Sequence, residues 1–307
     1  MSMDARKIVV VGSSNTDMVV QSSHLPAPGE TVLGGEFTMN PGGKGANQAV
    51  AAVKMGGEVA FIARVGNDLF GKEAIKGFDQ LGIDTQFIAA DEQAPSGIAL
   101  INVNEEGENC ISVALGANAK MSIEDLDSAR DMIGQAAYIL VQLEIPMVVV
   151  EHLGELAHEL EVPLVLNPAP AQPLSSDLLE RLYMITPNQS EAELLTGVKV
   201  VNQDTAHEAA VILQDKGVKN VIITMGSQGV YVLAEGLAQM VECPAVEVVD
   251  TTAAGDTFNG ALVTGLAEGI PLLEAIEMAN QAAALSVTKV GAQSAIPFRK
   301  ELINLNK

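Results

Sequence analysis

Short apolar runs recur along the chain at Ile8–Val11, Val59–Val65, Tyr138–Leu143, Pro163–Leu166, Tyr183–Ile185 and Val221–Thr224. They are rich in β-branched residues and do not alternate with polar ones, the pattern of strands buried on both faces. Between them, apolar positions at helical spacing predict helices over Gly71–Leu81, Ile123–Ile133, Val148–Leu160, Ala206–Lys216 and Leu272–Val287. Strand and helix taking turns in this way predict right-handed βαβ units: an α/β fold with a doubly wound, mostly parallel sheet and helices on both faces. Ligands of such sheets sit beyond the carboxyl ends of the strands.

Two stretches break this rhythm. Met18–Met39 surrounds the turn Pro26–Gly29, and Ser96–Leu115 surrounds Asn104–Gly107; both have the pattern of antiparallel hairpins and neither contains a helical stretch. We read them as two insertions, at about residues 15–40 and 96–115, that build a small antiparallel β-sheet lid on a single domain spanning 1–307. Two unrelated surface hairpins fit the same pattern.

Composition narrows the function. Thirty-nine acidic residues against seventeen basic ones leave a net charge of −22, with no Trp and 3% aromatic residues. Nucleic acids and anionic membranes need basic surfaces, and single strands usually need aromatic faces, so neither is an expected partner. The two cysteines, Cys110 and Cys243, stand far apart without metal-ligand spacing, which fits a reducing, cytoplasmic location. The first apolar run is too short for a signal segment, and the one tempting stretch, Ala137–Val150, is interrupted by Gln142, Glu144 and Pro146. His24, His152, His158 and His207 form no HExxH motif, and no G-x-S-x-G elbow occurs.

The richest segment is Asp250–Gly260, DTTAAGDTFNG, where an apolar strand ending at Val249 is expected to run into small residues and then a helix. Small residues at a helix start leave backbone N–H groups open to an anion, with Asp256 facing it. Equally, Asp250 or Thr252 is a helix cap and Asp256 an ordinary first-turn acid. A second glycine-rich turn, Asn40–Ala49, opens another helix. It has neither P-loop nor dinucleotide-fingerprint spacing, but Lys44 and Asn47 suit sugar hydroxyls. Asn15 and Asp17 follow the first strand, Glu144 ends an apolar strand, and Thr224–Gly229 is a strand end followed by a flexible turn. Asn188 with Glu191 has the form of a capping box.

Taken in order, these segments resemble the ribokinase-like (phosphofructokinase-B) carbohydrate kinase family over essentially the whole chain. The carriers are Pro41–Ala49 and Asp250–Gly260, with Asn188-x-x-Glu191 between them. The resemblance implies ATP-dependent phosphorylation of D-ribose at its 5-hydroxyl. Relatives that phosphorylate deoxyribose, fructose or a nucleoside, and a non-catalytic sugar-binding protein, are the alternatives. It implies Asp256 as the base, and the amides of Ala253, Ala254 and Gly255 as an anion hole. Asn15, Asp17, Gly43, Lys44, Asn47 and Glu144 become sugar contacts, with Asn188, Thr224, Gly226, Ser227, Gly229, Gly255 and Asn280 at the nucleotide. Glu191 would order Mg2+ through water. A K+ site would use Asp250, Thr252, Ser286, Lys289, Gly291 and either Ala295 or Ser294. The lid would also form a homodimer interface.

Overall fold

The computed structural model describes residues 7–302, so both ends of the expected 1–307 domain lie outside the described residues. Its strands are β1 (Lys7–Val11), β2 (Asn15–Gln21), β3 (Glu36–Gly42), β4 (Glu58–Gly66), β5 (Ile88–Asp91), β6 (Gly97–Val103), β7 (Asn109–Ala114), β8 (Tyr138–Val141), β9 (Leu164–Leu166), β10 (Met184–Ile185), β11 (Asn220–Thr224), β12 (Val230–Ala234) and β13 (Leu237–Val241). Nine of them form one sheet in the order β13-β12-β11-β10-β9-β8-β1-β4-β5. Pairing is parallel from β5 across to β11 and antiparallel only at the β11-β12-β13 edge.

The sandwich follows from strand alternation. In β1, Val9 and Val11 pack on one side with Leu126, Val149, Leu153 and Ala206, while Ile8 and Val10 pack on the other with Ala49, Phe258, Leu262 and Ile276. All four β1 residues are fully buried, which is why the run carries no polar alternation. The predicted helices form at Leu69–Leu81, Met147–Glu159, Gln203–Asp215 and Leu272–Ser286. The helix expected over Ile123–Ile133 is two, Ile123–Ser128 and Arg130–Gly134, because Ala129 leaves helical geometry and its N–H closes a tighter turn on the Leu126 carbonyl. Among the described residues, no helix is long and apolar enough to cross a membrane.

One expected element is absent. The apolar run ending at Val249 is loop, with Val248 and Val249 more than half exposed. The sheet edge is already completed by the β12-β13 hairpin, turned at Glu235-Gly236 with Gly236 at φ 71°.

The two insertions do join into one sheet, ordered β3-β2-β6-β7. Each hairpin is antiparallel within itself, but the seam between them, β2 with β6, is parallel. Both strands leave the body in the same direction, aligned from Asn15 opposite Gly97, and β3 and β7 return. The Asn118 side chain ties the base of this sheet down, accepting from the Ser14 N–H and donating to the Ser14 carbonyl and Asn15 Oδ1.

Helix Lys44–Lys54 lies against helix Ala254–Ala267 at Gly260, where an added Cβ would stand 2.5 Å from Ala51 Cβ and 2.6 Å from the Gln48 carbonyl. This close crossing brings Asn47 and Gln48 to Asp256. Gly260→Val is therefore expected to destabilise the protein by about 1–3 kcal/mol through overpacking, read by calorimetry as a lowered Tm; a wild-type Tm would contradict the packing.

Candidate active site

Helix Ala254–Ala267 starts from Ala253 in left-handed conformation, φ 58°, and no side chain caps it. A non-glycine residue held there costs about 1–3 kcal/mol, strain that clusters at functional sites. The Ala254 N–H turns back onto the Thr251 carbonyl at 3.2 Å. Among the described residues, the amides of Ala253, Gly255 and Asp256 have no such partner and remain available to an anion. Asp250 and Thr252 are thus not caps. Asp250 accepts from the Thr252 N–H and hydroxyl and from the Gly291 N–H, pinning two loops together.

The Asp256 carboxylate is buried and accepts two side-chain amides, Asn47 Nδ2 on Oδ2 and Gln48 Nε2 on Oδ1, both at 2.9 Å. Each oxygen keeps a second acceptor position. Burial raises its pKa; the Lys44 charge and the two amides oppose this, Glu144 adds to it, and the net shift is upward. The carboxylate lines a polar cavity of about 220 Å³ together with Lys44, Asn188, Glu191 and Ala253–Gly255. It is neither turned into the core nor engaged by a salt bridge.

The second wall comes from the Asn40–Ala49 turn. Gly43 has φ 90°, and a Cβ there would stand 2.7 Å from the Asn15 N, so only glycine lets the turn approach β2. Glu144, just past β8, receives the Ser13 hydroxyl at 2.5 Å and the Lys44 N–H at 3.0 Å, fastening the helix start to the strand ends. Asn15 is buried, its Oδ1 already taken by Asn118. Burial, with Glu144 and Asp256 nearby, pushes the Asp17 carboxyl up to about 6 against the pull of Lys44. Burial also works against the Lys44 charge, but Asp256, Glu144, Glu191 and Asp17 outweigh it and raise its pKa, so the ammonium stays charged.

A second cavity, of about 410 Å³, is walled by Thr224, Gly226, Ser227, Gly229, Asn280 and apolar residues of the 243–248 loop. Thr224, Thr251, Ala254 and Gly255 line both cavities, which therefore meet at the uncapped helix start. Asn280 is tied to the wall through the Val241 and Glu242 carbonyls. Asn188 and Glu191 form the reciprocal capping box expected of them, and both also border the smaller cavity. Burial raises the Glu191 pKa. A third cavity, about 680 Å³, is mostly apolar and lies between helices Lys44–Lys54 and Leu69–Leu81 and the lid; it touches Asn15 but none of the converging carboxylates.

Of the residues read as cation ligands, Asp250, Thr252 and Gly291 come together. The Lys289 N–H bonds the Ser286 carbonyl at 3.3 Å, but its ammonium points to Glu301 at the surface. Ala295 is fully buried and has no side-chain oxygen, whereas Ser294 Oγ lies within 3.5 Å of the Val290 carbonyl. Among the described residues there is no cluster of three His, Cys, Asp or Glu able to hold a metal.

Sequence reasoning passed over Ser13, Gln48, Asn118, Gln142, Asn167 and Asn259. Gln142 offered a signal, a polar residue at the end of an apolar strand; it is fully buried.

A ribokinase of Haemophilus influenzae is 45% identical over 298 residues, covering 97% of each chain. A deoxyribokinase of Salmonella typhi is 36% identical, covering 98% of this chain and 99% of its own. The structure of Arabidopsis thaliana ribokinase complexed with ribose and ATP superposes with a TM-score of 0.91 at 32% identity, covering 99% of both chains. The sequence model of the pfkB family carbohydrate kinases matches residues 5–299, and the chain belongs to that family.

Proposed function

We propose that this protein transfers the γ-phosphoryl group of ATP to the 5-hydroxyl of D-ribose, giving ribose 5-phosphate and ADP. The observation that carries this reading is the buried Asp256 carboxylate beside unpartnered helix-start amides, at the junction of a small polar cavity and a larger apolar-walled one. Sugar in the first and nucleotide in the second would bring hydroxyl and γ-phosphate together at Ala253–Asp256. The relatives named ribokinase support the choice of sugar.

Asp256 takes the hydroxyl proton as the oxygen attacks phosphorus and the bond to ADP breaks, and the amides of Ala253 and Gly255, with that of Ala254 if its turn bond opens, donate to the oxygens of the phosphoryl group in transfer. Asn15, Asp17, Gly43, Lys44, Asn47 and Glu144 orient the sugar. Asn47 Oδ1 is buried without a partner, an acceptor suited to a hydroxyl donor. Alignment is the larger effect: it supplies about 7–11 kcal/mol, against about 2 kcal/mol at most from a partly buried helix terminus. Glu191 would hold Mg2+ through water, and the ion would supply positive charge against that of the nucleotide's phosphates. K+ would sit beside the amides on the loops of Asp250, Thr252, Ser286, Lys289 and Gly291. Its last ligand would be either the Ala295 carbonyl or the Ser294 hydroxyl. Asn188, Thr224, Gly226, Ser227, Gly229 and Asn280 hold the nucleotide.

In this reading one domain carries a lid from two insertions, and the lid makes a homodimer. Phe37, Met39 and Leu100 lie on one face of it and are about half exposed, an apolar surface that a second copy would cover. A cytoplasmic location fits its two free cysteines.

An ADP-release assay over pentoses, hexoses and nucleosides, with and without potassium, should rank ribose first and show activation by potassium; deoxyribose or a nucleoside leading would overturn the substrate. Asp256→Asn should lower kcat by about 10²–10⁴-fold while nucleotide affinity is kept; wild-type turnover would remove Asp256 as base. Asp17 is charged above about pH 6 and takes up a proton as pH falls through that value, losing a charged acceptor for the sugar. The ribose KM should therefore rise below about pH 6 and be flat in Asp17→Asn; a flat wild-type KM would exclude this contact. Light scattering should give a dimer that Phe37→Asp dissociates, and a monomeric wild type would refute the lid interface.

A further inference from the structure

We propose that Gln48, oriented by Gln142, is a positioning residue for Asp256, and that a buried chain of side-chain amides continues from it to the start of the helix that carries Asp256. The inference rests on the reading of Asp256 as the base.

The chain is continuous. Gln142 Nε2 donates to Gln48 Oε1 at 2.6 Å, and Gln48 Nε2 is shared between Asp256 Oδ1 and Asn167 Oδ1, each at 2.9 Å. Asn167 Nδ2 donates to the Thr186 carbonyl, Thr186 Oγ1 to Asn259 Oδ1, and Asn259 Nδ2 to the Gly255 carbonyl. Gln48 and Gln142 are fully buried, and Asn167, Thr186 and Asn259 are at most 7% exposed. The residues come from helix Lys44–Lys54, from the carboxyl ends of β8, β9 and β10, and from helix Ala254–Ala267. Strand ends, sugar helix and base helix are thus fixed to one another at the reacting carboxylate.

The order of donors matters more than their number. A glutamine side chain can rotate to exchange its oxygen and nitrogen. Because Gln142 donates to Gln48 Oε1, the Gln48 N–H is directed at Asp256; the reversed amide would set an oxygen against the carboxylate. Gln142 itself is confined, since a Cβ on Gly12 would stand 2.2 Å from its Oε1. That Oε1 has no partner, so the orientation costs an unsatisfied acceptor, which a purely structural amide would be expected to avoid.

Asp256 is faced by Lys44 from the same helix as Gln48, by Glu144 beyond β8, by Asp17 of β2 and by Glu191 of helix Gln189–Thr196. Three of these four charges disfavour its ionised form, as burial does. The neutral amides favour it without adding a cation that would bind the carboxylate in place of the sugar.

The test uses Gln48→Met, close in volume and without N–H groups, and Gln142→Met. The dependence of kcat on pH is followed from about pH 5 to about pH 9, with sugar and nucleotide KM and a melting curve for each variant. Loss of one hydrogen bond to a charged group predicts that the acid limb of Gln48→Met moves up by about one to two pH units. Its kcat should then fall by up to about 10- to 100-fold on the acid limb and recover as pH rises, with nucleotide KM unchanged. Gln142→Met should move the limb the same way by less. A folded variant of Gln48 with the wild-type acid limb, or with a loss uniform across pH, would overturn the proposal. Failure of both variants to fold would assign the amides to stability alone and would overturn it too. Asp256→Asn in the same assay separates the two ideas: if it retains turnover, the base assignment fails. If it is inactive and Gln48→Met keeps the wild-type profile, only this inference fails.

Discussion

A carboxylate buried at the start of a helix and held by two neutral side-chain amides, instead of an ion pair, is the interaction on which the rest of this structure depends. A salt-bridged Asp256 would be a poor base and a closed site. Bonded to Asn47 and Gln48 it keeps an acceptor position on each oxygen and stays open to a hydroxyl. The two amides arrive there because the glycine at 260 lets two helices cross in backbone contact. Helix Lys44–Lys54 is in turn fastened to the sheet through Ser13 and Glu144. Packing, far from the chemistry in sequence, sets the geometry of the chemistry.

Charge imposes the second constraint. A chain of net charge −22 repels a nucleotide at long range, so the attraction has to be local, within a Debye length of about 8 Å. The helix-start amides and Lys44 provide that attraction. Lys44 faces four carboxylates, which keeps its ammonium protonated despite burial and keeps those carboxylates from expelling one another. The site is therefore one buried cation among four carboxylates inside an acidic protein.

Much of this was legible in the sequence. Unbroken apolar runs such as Ile8–Val11 and Tyr138–Leu143 announced strands buried on both faces, whereas the small residues before Asp256 left an open and a capped helix start equally possible. Less legible was anything decided at long range. Val248 and Val249 looked like a strand because local composition does not register that the sheet edge is already filled by β13. The lid seam is parallel because two insertions leave the body side by side, which neither hairpin encodes alone. Asn47 was recognisable as a polar group in a glycine-rich turn, but its bond to Asp256 spans 209 residues. Gln48 had no local signature at all; its importance comes only from what stands opposite it.

The most direct measurement is a crystal structure with ribose, ADP, Mg2+ and an aluminium fluoride mimic of the transferred phosphoryl group. The account predicts the primary hydroxyl of the sugar at about 2.6–3.2 Å from an Asp256 oxygen, the amides of Ala253 and Gly255 on the fluoride, and both side-chain amides still on the carboxylate. A sugar hydroxyl directed at another group, with Asp256 contacting only Asn47 and Gln48, would contradict it.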